Sequence, residues 1–260
     1  MTRPGRPARP STAFVAPLLA FAGLLGTWEV AVRAFRIKEL ILPAPSAIAA
    51  AVGEDWQGWL AAAWVTGQEA FLGFLIALAV ALVLAVAATA SPALERAMLP
   101  VVTVVQLGPV VALAPALVIG LGFGQTPRVL VAALITFAPL TLNAIVGLQA
   151  VEADALEVMR SVDASSWEIL VKLRLPHALP FLAAATRVCV GLALIGAMVA
   201  EWQGSSEGLG YAFTRAQRSL ATDRMWASVF VLAIMGVITL GGIGILERRL
   251  LRWRPSRLRN

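Results

Sequence analysis

Apolar residues in this chain come in long unbroken runs, and the charged residues fall between them. A helix rises 1.5 Å per residue, so a hydrocarbon core about 30 Å thick needs roughly 20 apolar residues to cross it. Six runs meet that length, at about 13–34, 69–90, 98–121, 128–149, 181–203 and 226–247. They are continuous. Strands of a barrel would instead alternate over about ten residues. The pattern therefore predicts an all-α integral membrane protein of about six transmembrane helices, with a polar insert between the fourth and fifth.

Composition agrees. Hydrophobic residues make up 59% of the 260 and charged residues 14%, and the mean hydropathy is +0.82. A soluble domain carries about 25% charge, so this chain has too little polar surface to cover a globule in water. The organisation expected is a basic tail at 1–12, a single transmembrane domain at 13–250 and a second basic tail at 251–260. Arg3, Arg6 and Arg9 before the first apolar run suit a cleaved signal peptide. The run continues past Ala22 to Ala34, however, which favours an uncleaved first span.

The net charge of +6 does not point to nucleic acid, because the basic residues sit at the termini and in short connections. With six spans both termini share a side. That side collects fourteen Lys and Arg residues, and the other has seven: Arg33, Arg36, Lys38, Arg128, Arg215, Arg218 and Arg224. The excess of positive charge places both termini and the polar insert in the cytoplasm. On the opposite side, Pro43 and Pro45 break the chain and Ser46 is a candidate cap for a following helix. Trp56, Trp59 and Trp64 suit the membrane–water interface.

The insert, "EVMRSVDASSWEILVKLRLPHALP" at 157–180, holds three acids, three bases, the only histidine and two prolines. Its pattern predicts two short helices. Ala155, Val158, Met159 and Val162 fall on one helical face. Ser165 with Glu168 forms a capping box that starts the second helix, and Glu168 and Lys172 make an i,i+4 pair in the favourable order. Pro176, lacking an N–H, is expected to end that helix. The plain alternative is a solvated connector, but a connector needs neither capped ends nor a tryptophan.

No G-x-x-x-x-G-K-[ST] occurs, so the chain has no phosphate-cradling loop. No G-x-S-x-G elbow or other catalytic constellation is present. The single Cys189 lies inside an apolar run and has no partner for a disulfide or a metal site. Polar groups at membrane depth usually face protein or a water-filled cavity; the candidates are Gln106, Asn143, Arg187 and Glu201. Arg187 can also snorkel to the surface, Glu201 can pair with an outer arginine, and Gln106 and Asn143 can bond neighbouring helices. The third span, "QLGPVVALAPALVIGLGFG", carries Pro109 and Pro115, each of which removes a helix hydrogen bond. Gly120 and Gly124 offer a close helix contact. Spans three and five are the expected lining of a path.

The insert resembles the cytoplasmic signature of bacterial ABC-importer permeases: Glu-Ala-Ala, three residues, Gly, nine residues, then Ile-x-Leu-Pro. Here Glu157-Val158-Met159 is followed by three residues, Asp163, nine residues and Leu173-Arg174-Leu175-Pro176. The spacing is kept, and Val-Met replaces Ala-Ala. Asp163 stands for the glycine, so either the turn differs or Asp163 makes a local capping bond. "TWEVAVRAF", "LPAPSAI", "AEWQGSSEGLGYAF" and "ERRLLRWRP" look like the sulfonate/nitrate/taurine branch, while "TDRMWAS" is similar to relatives that import thiamine-precursor pyrimidines.

The resemblance implies that the loop at about 152–180 docks into a cytoplasmic ATPase through Glu157, Arg160, Ser161, Asp163, Ala164, Ser165, Trp167, Leu173 and Pro176. It implies a non-catalytic inner-membrane subunit, acting as a homodimer in lipid. The partner ATPase would use ATP and Mg, and a periplasmic binding protein would deliver a small solute. The path would use Gln106, Pro109, Asn143 and Glu201. A channel or ion-driven transporter without an ATPase is the alternative from another class; it would need mid-span acids, and Glu29, Glu69 and Glu201 all lie toward span ends.

Overall fold

A computed structural model of the protein describes residues 12–250; the two basic tails lie outside them, apart from Thr12. Every regular element among the described residues is helical. The first span is α1, Thr12–Ala34. A short helix α2, Pro45–Glu54, follows, and then α3, Trp56–Ala90. Span three is split into α4, Pro92–Leu107, a 3-10 turn Val110–Leu113, and α5, Ala114–Leu121. Span four is α6, Gln125–Gln149. The insert gives α7, Ala153–Ser161, and α8, Ser166–Ile169. A π turn at Leu170–Arg174 leads into α9, Leu175–Glu201. The far-end helix α10, Leu209–Arg218, precedes the last span α11, Thr222–Leu250.

Five helices are long and apolar enough to cross a membrane, and the count is six when the α4–α5 pair, bent by 81°, is taken as one broken span. The bend falls at Gly108 and Pro109, where Gly108 is extended (φ −65°, ψ 146°). Proline has no N–H to continue the ladder, so the helix restarts rather than kinks. Pro115 sits in the first turn of α5, where a missing N–H costs nothing.

Three expectations need correction. α3 starts at Trp56, not near 69, because Gln57, Gln68 and Glu69 interrupt the apolar run without interrupting the helix; Asp55 caps it by accepting from the Gly58 N–H at 3.0 Å. Ser46 does not cap α2, which begins at Pro45. Instead the Ser46 N–H and hydroxyl both donate to the Glu29 carboxylate of α1, at 3.0 and 2.8 Å. Pro176 does not end the second insert helix. Ser166–Glu201 is one continuous helix. Pro176 stands in the first turn of α9, just after the widened π turn.

The core lies around α6, the most buried of the spans. Ala70, Phe74, Ala77 and Ala81 of α3 meet Ala132, Ala133 and Leu140 of α6, and Ala185, Cys189, Ala193 and Ala197 of α9 close the third side. Lipid is as apolar as leucine, so such helices associate by close packing of small residues rather than by leaving water. Gly73 shows how close: a Cβ there would sit 2.7 Å from both the Ala132 Cβ and the Val129 carbonyl. Gly120 and Gly124 make no such contact within the chain, since nothing lies within 4 Å of the Cβ position of either. Cys189 is a buried helix residue.

Candidate functional site

At the end carrying the insert, α7 and α8 form a hairpin clear of the bundle. Its turn is a helix stop of defined geometry. The Ala164 N–H bonds the Met159 carbonyl and the Asp163 N–H bonds the Arg160 carbonyl, both at 3.0 Å. Asp163 between them is left-handed, at φ +53°. This is the paired-bond motif in which glycine usually holds that position. Asp163 therefore adopts the glycine conformation, and among the described residues its side chain makes no hydrogen bond.

Two residues on, the expected capping box is present. Ser165 Oγ accepts from the Glu168 N–H at 3.3 Å, and Glu168 accepts from the Ser165 N–H at 3.1 Å. Lys172 donates to the other Glu168 oxygen at 2.8 Å. The Lys172 bond first, then the Ser165 N–H and hydroxyl, pull the Glu168 carboxyl down to about 2. Ser161 Oγ donates to the Val158 carbonyl within α7. Around this rigid turn, Val158, Val162 and Trp167 are 64%, 68% and 70% exposed. Glu157, Arg160 and Asp163 are exposed beside them, Ala164, Leu173 and Pro176 half-buried. Ala155 and Met159 are half-buried, so the expected apolar face is uneven: Val158 and Val162 stand exposed beside them.

At the far end of the bundle the chain buries a polar cluster that the sequence pattern did not reveal. Glu69 of α3 is fully buried and pairs with Arg128 in the first turn of α6. Arg128 also donates to Ser205 Oγ at 2.9 Å and to its own Gly124 carbonyl at 2.8 Å. Among the described residues Glu69 Oε2 has no donor. Beside it, Glu201 at the tip of α9 is 1% exposed. Thr66 Oγ1 donates to Glu201 Oε1 at 2.6 Å, and the Gly210 N–H donates to Oε2. The Leu209 N–H donates to Thr66 Oγ1 at 2.9 Å. Gly208 precedes the first residue of α10 and has no side chain to cap it; Thr66 and Glu201, from two other helices, supply the acceptors that its first N–H groups need. A Cβ on Gly208 would strike the Glu201 carboxyl, and one on Gly210 the Met198 carbonyl and Glu201. The Gly-Leu-Gly of "GLGY" is thus the backbone surface that wraps the acid.

The other expected path residues are scattered. Gln106 and Pro109 are exposed on α4 and at the break of span three. Asn143 donates back to Pro139 of its own helix at 2.8 Å. Arg187 pairs with Glu247 of α11 at 2.6 Å. Glu201 bonds a threonine and a backbone amide, and the arginine of the cluster goes to Glu69. An arginine in the first turn of one span, an acid well inside α3 and another at the tip of α9 were the available signal for the cluster.

A family model described as "Binding-protein-dependent transport system inner membrane component" matches residues 77–252. The chain is 29% identical over 256 residues to the putative aliphatic sulfonates transport permease protein SsuC of Bacillus subtilis, covering 96% of this chain and 92% of that one. It is 31% identical over 245 residues to the formylaminopyrimidine transport permease protein ThiX of Halalkalibacterium halodurans, covering 92% and 96%. Among solved structures, the MetNI methionine ABC transporter in an inward-facing conformation matches with a TM-score of 0.60 at 20% identity, over 75% of this chain and 94% of that one. The family model's match over most of the chain and the 31% identity to ThiX over nearly its whole length place the chain in the binding-protein-dependent transport family, as the inner-membrane permease component of an ABC importer; the MetNI match shows that it has the fold of such a transporter.

Proposed function

We propose that the α7–α8 hairpin is the surface on which a cytoplasmic ATPase sits, and that two copies of this chain enclose the path between them. The observation that carries this reading is the hairpin itself. It presents Trp167, Val158 and Val162 to solvent outside the apolar spans, on a turn fixed by a helix stop and a capping box. Apolar side chains held rigidly in water mark a protein-binding surface, and a Trp at its centre is the usual anchor of such a contact. Glu157, Arg160, Ser161, Asp163, Ala164 and Ser165 surround the anchor, and Leu173 and Pro176 support it from the rod behind.

ATP and Mg belong to that ATPase. Both termini and the hairpin lie in the cytoplasm, by the excess of basic residues there. A periplasmic binding protein brings the solute to the opposite face. Gln106 and Pro109, exposed on the broken span, and Asn143 line the route, and the buried Glu201 braces it from behind. The solute is a small sulfonate-, nitrate- or taurine-like anion or a pyrimidine-like heterocycle. The sulfonate and the pyrimidine in that range are supported by likeness to the SsuC and ThiX proteins. ATP binding draws the two ATPase copies together, the hairpins follow, and the spans reorient.

The test is a mild-detergent pull-down of the tagged chain from its own membranes, with mass spectrometry of what accompanies it. A second preparation carries Glu157→Arg and Trp167→Asp. A P-loop ATPase present with the native chain and lost from the variant is the expected result. Its retention by the variant, or its absence from both, overturns the docking reading. A periplasmic protein in the same pull-down gives the solute to assay.

A further inference from the structure

The helix that leaves the hairpin ends at the far-end cluster. Ser166–Glu201 runs for 36 residues without a break, about 54 Å at 1.5 Å per residue. One end carries Ser165, Trp167 and the capped turn; the other end is Glu201. A span needs only about 20 residues, so the rod overshoots the membrane and puts a structured tip at both ends.

At the far tip, five contacts hold α10 and the loop that leads into it. Glu201 takes its Gly210 N–H and Thr66 its Leu209 N–H. Trp202, the residue after the rod, stacks on Phe213 of α10 with ring centroids 5.4 Å apart. Arg128 holds Ser205 in the connecting loop. Gly204 of the same loop packs on Phe123, just beyond the broken span. The tip of α9 therefore touches α3, α6, α10 and the end of α5 through one cluster. Its charged groups are Glu69, Arg128 and Glu201, with Glu207 of the loop nearby.

We propose that Glu201 is a positioning residue that makes α10 move with the α8–α9 rod, so that the passage of a displacement of the docking hairpin to the far face depends on this carboxylate and its Thr66 bond. The proposal rests on the docking reading above. Rigid secondary elements are among the carriers of coupling over such distances, and this rod has a defined contact at each end. The π turn at Leu170–Arg174 and Pro180 inside α9 are the places along it where a bend is easiest.

The experiment uses the purified complex of this chain with its ATPase. Cys189→Ala removes the native thiol, and Gln217→Cys, on the exposed side of α10, takes a bimane fluorophore. Emission is compared before and after trapping nucleotide with vanadate. The expected result is a clear change in the otherwise native chain and its loss in Glu201→Ala, although that variant still assembles with the ATPase and traps nucleotide. Thr66→Val loses most of the change and Thr66→Ser, which keeps the hydroxyl, retains it. Glu201→Gln retains an acceptor for Gly210 and a large part of the change, which separates lost transmission from misfolding. An undiminished change in Glu201→Ala, or no change in the native complex, overturns the proposal. Failure to isolate any ATPase complex overturns the docking reading instead.

Discussion

Arg128 reaches from the first turn of α6 to Glu69 on α3, an acid with none of its side chain exposed. Removing one partner of a buried ion pair leaves the other charge without compensation, typically at a cost of about 3–5 kcal/mol. Arg128→Met is therefore expected to lower the thermal midpoint of the detergent-solubilised protein sharply. Glu69→Gln keeps an acceptor for Arg128 and leaves a less costly group behind, so its effect is smaller. The double variant recovers part of the loss of Arg128→Met. A double-mutant cycle of the unfolding midpoints checks this, and additive effects would refute the pairing.

Gly210 is the most constrained position of the far end. Its missing Cβ would press on the Met198 carbonyl and on Glu201, and a backbone carbonyl inside a packed helix has no cheap way to yield. Gly210→Ala is expected to destabilise by about 1–3 kcal/mol, the usual cost of overpacking, and to lower the yield of folded protein. Gly191, beside which nothing lies within 4 Å, is the control. Gly191→Ala is expected to be neutral or slightly stabilising, as Ala is the better helix former. Equal midpoints for the two variants would contradict the packing.

At the hairpin, Asp163 takes φ +53°, a conformation that penalises residues with a Cβ by about 1–2 kcal/mol, with Asp and Asn the most tolerant. Asp163→Gly should firm the turn by up to about 1 kcal/mol, and Asp163→Ala should loosen it. Hydrogen exchange of the Asp163 and Ala164 amides, which close the turn onto Arg160 and Met159, reads this directly. Faster exchange in Asp163→Gly than in the native chain would mean that the aspartate contributes something besides its backbone angle.

The spans and the hairpin were legible because each is written in a local pattern. Apolar length gives a span, Ser165 and Glu168 three residues apart give a cap, and Pro109 gives the break in span three. The errors came where a local signal was overruled by a partner far off in sequence. Gln68 and Glu69 looked like a span boundary because polar residues end apolar runs, yet Glu69 is buried by Arg128, 59 residues away. Ser46 reads as a cap because a serine oxygen can accept from the first N–H groups of a helix, yet its hydroxyl goes to Glu29. Pro176 looked like a stop because an isolated helix would stop there, yet the widened turn before it and the packing of Ala178 against Gly147 carry the helix on. Glu201 was singled out for its charge, but no spacing rule joins it to Thr66, 135 residues earlier.

The cap of α8 sets one pH dependence that lies outside the spans. The Glu168 carboxyl, held by Lys172 and by Ser165, titrates at about 2 in the folded chain, whereas an unperturbed glutamate titrates near about 4.3. The folded value is the lower of the two. The contribution of the cap is therefore complete above the unfolded value and is lost as pH falls through the folded one. Across the neutral range the hairpin keeps its cap unchanged, and only strongly acidic conditions remove it. Lys172→Met takes away the largest cause and should raise the titration midpoint toward the ordinary range. Ser165→Ala removes the hydroxyl but leaves its N–H, and should raise it less. Carbon-13 NMR of glutamate-labelled protein in detergent, with Glu168→Gln to assign the resonance, follows the carboxyl directly. A native midpoint in the ordinary carboxylate range would show that Glu168 points into solvent and that the start of α8 is capped by the Ser165 hydroxyl alone.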